Sequence, residues 1–417
     1  MARVLVTGAT GFIGTRLCEV MTITGHWSPR LFVHSTASAS RIARFPIDFV
    51  MGDLCDKNSV DRAIADCDAV VHLARGDNRV ATTGLENVLR AASKQRCKRF
   101  VHLSSVAVYG NRPPPESFSE EAPPQPGDMA YGVQKLKEEQ RVKRFGAAHG
   151  LPFVILRPPN VYGPFAHFTT NLIGKIRAAQ MAIIDGGQNP CNLVYIDNLI
   201  EAILLSLWKP AAAGEVFFVT DSETVSWERC LNDHAALVGK PMPQASRTDL
   251  VSVPQERLVR DSVRLLRSVL FSEELRQAAR KLPIVKSLES AIYTKMQRLS
   301  PETQQRLRVA LAGPVNFHGT EPMARNALRD DDPLIAAQQR TVAHSSEKAK
   351  RLLGYSAPVS YTEGMALTKT WLDEAGILRS RFPRGLAPTR PAADATAQLR
   401  CALDAPVGSG VRRARRR

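Results

Sequence analysis

Residues 1–14 read MARVLVTGATGFIG: a short apolar run, Arg3–Val6, breaks into Gly8, Gly11 and Gly14 where a helix, Phe12 to about Thr24, begins. A strand, a three-glycine turn and a helix in that order are how a main chain comes close to a pyrophosphate. Each glycine has a task. One gives the tight turn free backbone angles, a second lets the phosphates approach, and a third lets the helix pack against the strand. The helix start then offers unpaired N–H groups and a partial positive charge. The spacing is GxxGxxG rather than GxGxxG. The run is too short for a secretory apolar region and has no small-residue cleavage site, so it reads as structure.

Further along, Leu31–His34, Phe49–Met51, Ala69–Leu73 and Arg99–Leu103 read as strands, with a helix over Gly84–Lys94. Strands separated by helices imply a doubly wound α/β fold with a parallel sheet covered on both faces. The unbroken runs AVVHLA and RFVHLSSVAVYG suit strands buried on both sides. A Pro-rich loop, 112–127, precedes a helix from about Met129 to His149 and a strand, Phe153–Leu156. VYIDNLIEAILLSLW reads as a strand running into a helix, and EVFFVT as a strand.

The chain has 417 residues, 44% hydrophobic and 23% charged, which is enough to bury a sizeable core. No apolar run reaches the length of a membrane span. Seven scattered cysteines without a CxxC fit reduced thiols and no metal site. The net charge of +16 is concentrated late: residues 379–417 hold ten arginines against two aspartates, and end VRRARRR. That tail reads as disordered, without a specific nucleic-acid partner. Residues 254–311 carry twelve Lys or Arg against six Asp or Glu, with Val259, Val263, Leu266 and Leu270 at helical spacing. A basic amphipathic helix of this kind can lie on an anionic membrane or pack on the protein itself.

In YGVQK, Tyr131 and Lys135 stand four apart, so on a helix they share one face. A tyrosine with a pKa near 10 is a poor base at neutral pH, and a nearby ammonium makes it a usable acid–base group. Ser105, after a buried strand, puts a hydroxyl beside the expected cofactor. About twenty residues past Gly14, where an acid would hold the ribose hydroxyls of NAD, the chain reads His34-Ser35-Thr36, with Arg41 and Arg44 soon after. Hydroxyls and cations there suit a 2′-phosphate, so the reading leans to NADP over NAD.

TGATGFIG, GDL, VVHLA, SSVAVYG, YGVQK, LRPPNVYGP and VYIDN, in this order, resemble the extended short-chain dehydrogenase/reductase family, also called the NAD-dependent epimerase/dehydratase family. The resemblance covers roughly residues 1–240 and the closing KRLLGYSAPVSYTEGMALTKTW. It implies a Rossmann-type sheet domain over 1–160, with a strand and helix returning from about 190–220. A smaller C-terminal substrate domain, 161–378, would carry the basic insertion 254–312. By position, Ser105 would polarise the substrate oxygen, Tyr131 move the proton and Lys135 tune it. Gly8, Thr10, Gly11, Phe12, Ile13 and Gly14 would hold the pyrophosphate, His34 the ribose and Asp53 with Leu54 the adenine. Ala74 would line the cofactor and the backbone around Pro158 would touch the nicotinamide, with Tyr131 and Lys135 also binding the cofactor.

The chain departs from that pattern in three places. The stretch after VVHLA is short, and Arg75 replaces a small residue. Cys191-Asn192 stands where nucleotide-sugar members carry a diphosphate-gripping arginine. Residues 254–312 are extra. VYIDN with Asn198 is closer to steroid-type dehydrogenases, whereas NVYGP and Thr170-Asn171-Leu172-Ile173 suit nucleotide-sugar enzymes. The leading expectation is an NAD(P)-dependent oxidoreductase interconverting a secondary alcohol and a ketone. A nucleotide-sugar epimerase or dehydratase with tightly bound NAD is the alternative, and a non-catalytic dinucleotide sensor a third reading. The expected setting is cytoplasmic, with peripheral contact to an anionic membrane and a homodimer as candidate associations.

Overall fold

The computed structural model describes residues 1–35, 39, 42–43, 45–250, 328–330 and 332–378. The stretch 254–312, the tail 379–417, and Thr36, Arg41 and Arg44 lie outside the described residues. The chain forms two compact units, Met1–Thr370 and Trp371–Arg417. The sheets and the candidate site residues all belong to the first unit.

The strands are β1 (Ala2–Thr7), β2 (Trp27–Val33), β3 (Asp48–Met51), β4 (Ala69–His72), β5 (Arg99–Leu103), β6 (Phe153–Arg157), β7 (Asn160–Tyr162), β8 (Ile183–Ile184), β9 (Leu193–Tyr195), β10 (Val216–Phe218) and β11 (Gln244–Ala245). Between them run α1 (Phe12–Thr24), α2 (Lys57–Ile64), α3 (Leu85–Lys94), α4 (Ala130–His149), α5 (His167–Arg177), α6 (Ile196–Trp208) and α7 (Trp227–Leu237). Two short helices, α8 (Pro333–Ala337) and α9 (Glu347–Leu353), come later in the chain.

Seven strands pair in the order β10-β6-β5-β4-β1-β2-β3, every pairing parallel. The strand order reverses between β1 and β4. Connections leave in opposite directions there, and a crevice opens above the carboxyl ends of those strands. Alternate residues face opposite layers, which explains the unbroken apolar runs. Val4, Val6, Val71, Val101 and Val154 pack with Leu17, Met21, Leu199 and Ile203 of α1 and α6. Leu5, Val70, Phe100 and Ile155 pack with Val60, Val88, Leu89 and Val142 of α2, α3 and α4. The expected fold is thus observed.

β2 starts four residues before the expected Leu31. Its early part, Trp27–Pro29, pairs with β1 alone, since β3 joins only from Arg30. Pro29 lacks an N–H and is tolerated because one side of the strand is open there. Outside the large sheet, β7 pairs with β9 and β8 with β11. The chain returns after the undescribed stretch through α8, whose neighbour Gln338 bonds the main chain of Ala182 and Ile184.

Candidate active site

Gly8 follows β1 at φ +69, and a Cβ there would lie 2.7 Å from Ala74 N and from the Leu73 carbonyl carbon. Only hydrogen fits, so the turn after β1 abuts the chain leaving β4, at Ala74. A Cβ on Gly14 would come within 2.3 Å of Gly8 O, so α1 can approach the strand only without one. Gly11 differs. It N-caps α1 at φ −74, and its Cβ would meet nothing nearer than 3.2 Å. Thr10, Phe12 and Ile13 complete the turn and open the helix. The first turn of α1 has no side-chain cap and no acidic residue. Its N–H groups stay open to an anion, so these residues fit a dinucleotide pyrophosphate.

His34 is exposed just past β2. Asp53 and Leu54 follow β3; Asp53 Oδ1 accepts from Cys55 N at 2.8 Å, and Asn87 Nδ2 donates to Leu54 O at 3.0 Å. These two bonds fix the loop where the resemblance places the adenine.

β5 ends at Leu103, and Ser105 lies two residues on as the N-cap of a 3-10 turn, Val106–Tyr109. Ser105 Oγ accepts from Ala107 N at 3.2 Å, and Val106 N donates to Pro158 O at 3.2 Å. α4 lies directly against this turn, because a Cβ on Gly132 would be 2.1 Å from Ala107 O. Gly132 therefore lets Tyr131, half-buried at the start of α4, stand beside the Ser105 turn. Lys135, one helical turn on, is buried. Its Nζ donates to Leu103 O at 2.9 Å and to Glu138 Oε2 at 2.8 Å. Two of its three N–H groups are thus engaged and one is left.

Beneath these residues lies a polar row that the sequence reading missed. Thr7, His72 and His102 stand in register on β1, β4 and β5. Thr7 Oγ1 and His72 Nδ1 are 2.8 Å apart, and the two imidazoles stack at 5.6 Å. His102 Nε2 is 3.4 Å from Glu138 Oε2. Burial pushes both imidazoles down, His72 to about 3, so both are neutral. Burial opposes ionisation of Glu138, but contact with His102 and the charge of Lys135 outweigh it and bring the carboxyl to about 2. The lysine therefore sits beside a buried carboxylate.

One turn on, Glu139 takes a two-pronged bond from Arg157 at 2.8 and 2.6 Å, and a third from Ser104 Oγ at 2.5 Å. Burial raises the Glu139 carboxyl, yet Arg157 holds it below the usual range. Arg157 Nη1 also donates to Tyr109 OH, which donates to Ala122 O. This pair locks α4, β6 and the Ser105 turn together. A histidine inside each of two apolar runs, VVHLA and FVHLSS, was the signal available for the polar row. Arg75 follows Ala74, is exposed, and places its guanidinium carbon 5.0 Å from the centre of the Tyr131 ring.

The sequence model of the NAD dependent epimerase/dehydratase family matches residues 4–219, just over half of the chain. The chain belongs to this family. A dTDP-glucose 4,6-dehydratase of Streptomyces niveus is 31% identical over 247 residues, covering 52% of this chain and 72% of the relative. A 2-alkyl-3-oxoalkanoate reductase of Stenotrophomonas maltophilia is 27% identical over 256 residues, 57% of this chain and 76% of that one. Among solved structures, UDP-glucose 4-epimerase of Thermotoga maritima with UDP-glucose superposes at TM-score 0.60. It is 18% identical and covers 89% of this chain and 99% of its own, a likeness of fold. The family is one of NAD-dependent epimerases, dehydratases and reductases, and the chain is an enzyme of that type. Among the described residues no helix is long and apolar enough to cross a membrane.

Proposed function

We propose that this enzyme oxidises a secondary alcohol carbon of a nucleotide-linked sugar and completes an epimerisation or dehydration at that site. When bound, the nicotinamide supplies the acceptance and return of a hydride. The protein handles the proton. Tyr131 takes it from the substrate hydroxyl and gives it back in reverse. Ser105 Oγ spends only a lone pair on Ala107 N, so its own O–H is free to bond the substrate oxygen. The last N–H of Lys135 is free for the Tyr131 oxygen or the nicotinamide ribose. The observation carrying this reading is the close packing of Gly132 on Ala107, which supports Tyr131 and Lys135 acting together with Ser105.

A sugar-modifying cycle returns its cofactor unchanged. After desalting, acid extraction of the purified protein should release about one nicotinamide per chain. Incubation with UDP-glucose and dTDP-glucose should then change one of the sugars without net change in nicotinamide absorbance. Cofactor consumed one-for-one would favour a second reading, a plain alcohol–ketone oxidoreductase. One observation supports that second reading. At the position expected to grip a diphosphate, Cys191 is buried, and the Asn192 side chain is spent on Val342 O at 2.9 Å and His344 N at 3.0 Å.

Three finer points belong to the same proposal. The exposed His34 and the lack of an acid near it favour acceptance of NADPH alongside NADH. Residues 254–312 would contact anionic membranes, tested by vesicle co-sedimentation at rising salt. Homodimer formation is tested by sedimentation velocity.

A further inference from the structure

The loop after β4 spans only Leu73 to Arg79, and it sets a cation against the residue proposed to move the proton. Arg75 lies over the Tyr131 ring, with its guanidinium carbon 5.0 Å from the ring centre. The chain just beyond it is tied down: Gln134 Nε2 of α4 donates to Gly76 O at 3.4 Å, and Asp77 Oδ1 accepts from Val80 N at 3.0 Å. Gly76 is packed against Val80, where a Cβ would lie 2.7 Å from the valine side chain. Gln134 also bonds Glu138, the carboxylate that engages Lys135. Arg75 is therefore placed by the same helix that carries Tyr131. Yet its guanidinium is exposed and has no hydrogen bond or ion pair to another described residue. A guanidinium over a ring is held by its charge, and its N–H fork remains to receive a carboxylate through two parallel bonds.

We infer that Arg75 is a substrate-binding residue that selects molecules carrying a carboxylate on the carbon next to the reacting one. With its guanidinium carbon 5.0 Å from the centre of the Tyr131 ring, the fork lies near the place where a reacting oxygen would meet that tyrosine. A carboxylate on the neighbouring carbon can meet the fork while the reacting oxygen meets Tyr131 and Ser105. The substrate class is thus a 3-hydroxy or 3-oxo carboxylate, in a sugar ring or an open chain. This rests on the Tyr131 chemistry proposed above.

Binding to the NADH-loaded protein tests it without requiring turnover, read from the fluorescence of the bound nicotinamide. Two ligand pairs differ in the carboxylate: 3-hydroxyhexanoate against its methyl ester, and UDP-glucuronate against UDP-glucose. In at least one pair the acid should bind roughly 10- to 100-fold more tightly than its neutral partner, the size expected of a charge-assisted pair. Arg75→Met should abolish that preference, Arg75→Lys should retain part of it, and neither should change the dissociation constant for NADH. Equal affinities within both pairs in the wild type, or a preference surviving Arg75→Met, would overturn the assignment. So would weakened NADH binding in Arg75→Met, which would give the guanidinium to the cofactor phosphates. If the acid preference is present and Arg75-dependent but neither pair is turned over, the proposed reaction fails while Arg75 keeps its role.

Discussion

At the β1–α1 turn the chain presents backbone without side chains, since Gly8 and Gly14 leave no room for a Cβ. Beside it, from the end of β1 across β4 and β5 to α4 and β6, it does the reverse and buries Thr7, His72, His102, Glu138, Lys135, Glu139 and Arg157 under a single half-buried tyrosine. Phosphates need closeness to N–H groups and a helix end, and side chains would keep them away. A proton transfer needs a charge held still, and a charge in a poorly polarisable interior must be compensated by partners. The first wall should therefore govern cofactor affinity and the second governs rate and stability.

The sharpest break of that division is Tyr131→Phe. It should lower kcat by about 100- to 10,000-fold, the range of a lost acid–base group, while NADH affinity stays within about twofold. Loss of cofactor binding in step with activity would show that the walls are not separate. On the opposite wall, Gly14→Ala should weaken NADH binding by more than about tenfold, because the new methyl meets main chain that cannot move aside. Gly11→Ala should cost only a few-fold, its Cβ having 3.2 Å of clearance and an ordinary φ. Fluorescence titration of both variants, with circular dichroism to confirm folding, decides it; similar losses in the two would mean the turn yields where the structure shows contact.

That contrast also explains which features were legible in the sequence. The glycine turn is local: strand, turn and helix are contiguous, and each glycine acts within the turn or on the next chain over. Tyr131 and Lys135 are equally local, four apart on α4 as the spacing implied. The Thr7, His72 and His102 row depends on register between strands about thirty or more residues apart, which periodicity does not give. In the sequence Glu138 is one of many charges in a single helix, KLKEEQRVKR. Only the packing of α4 on β5 turns it inward, and only the approach of β6 pairs Glu139 with Arg157. The short segment after β4 was legible as a departure, but not that its arginine lies over Tyr131.

A smaller effect probes the compensation of Lys135. Glu138→Gln keeps the shape and removes the charge, leaving a buried ammonium with carbonyl and amide partners only. Unfolding in urea should show a loss of about 2–4 kcal/mol. Lys135→Met with Glu138→Gln should lose less than the sum of the single changes, since no buried charge is then left unpaired. Additive losses would mean that the two residues stabilise the fold independently.

The smallest expected effect sets the sheet against the region beyond it by pH. His72, held neutral by burial and then by its stacked neighbour His102, has a folded pKa near 3, below its ordinary value. An unfolded histidine binds a proton near pH 6.5, so this site contributes stability above that pH and loses it as pH falls towards 3. Asp221 runs the other way. Its Oδ1 accepts from Tyr195 N at 2.8 Å and Asn198 Nδ2 at 2.7 Å, while Oδ2 is buried without a well-formed bond. Burial outweighs those bonds and raises the carboxyl to about 6. Its ionisation therefore costs stability as pH rises from about 4 to 6, and the cost is complete above 6. Each proton changes stability by at most about 1.4 kcal/mol per pH unit, and between pH 4 and 6 the two largely cancel. Asp221→Asn keeps the Oδ1 acceptor, puts an amide at the unbonded position, and removes only one of the opposing slopes. The variant should melt at a higher temperature than wild type at pH 7.5, and the gap should close as pH falls to 4. Thermal unfolding across that range checks it. A gap independent of pH would mean that the gain came from the new amide bond and not from the lost charge.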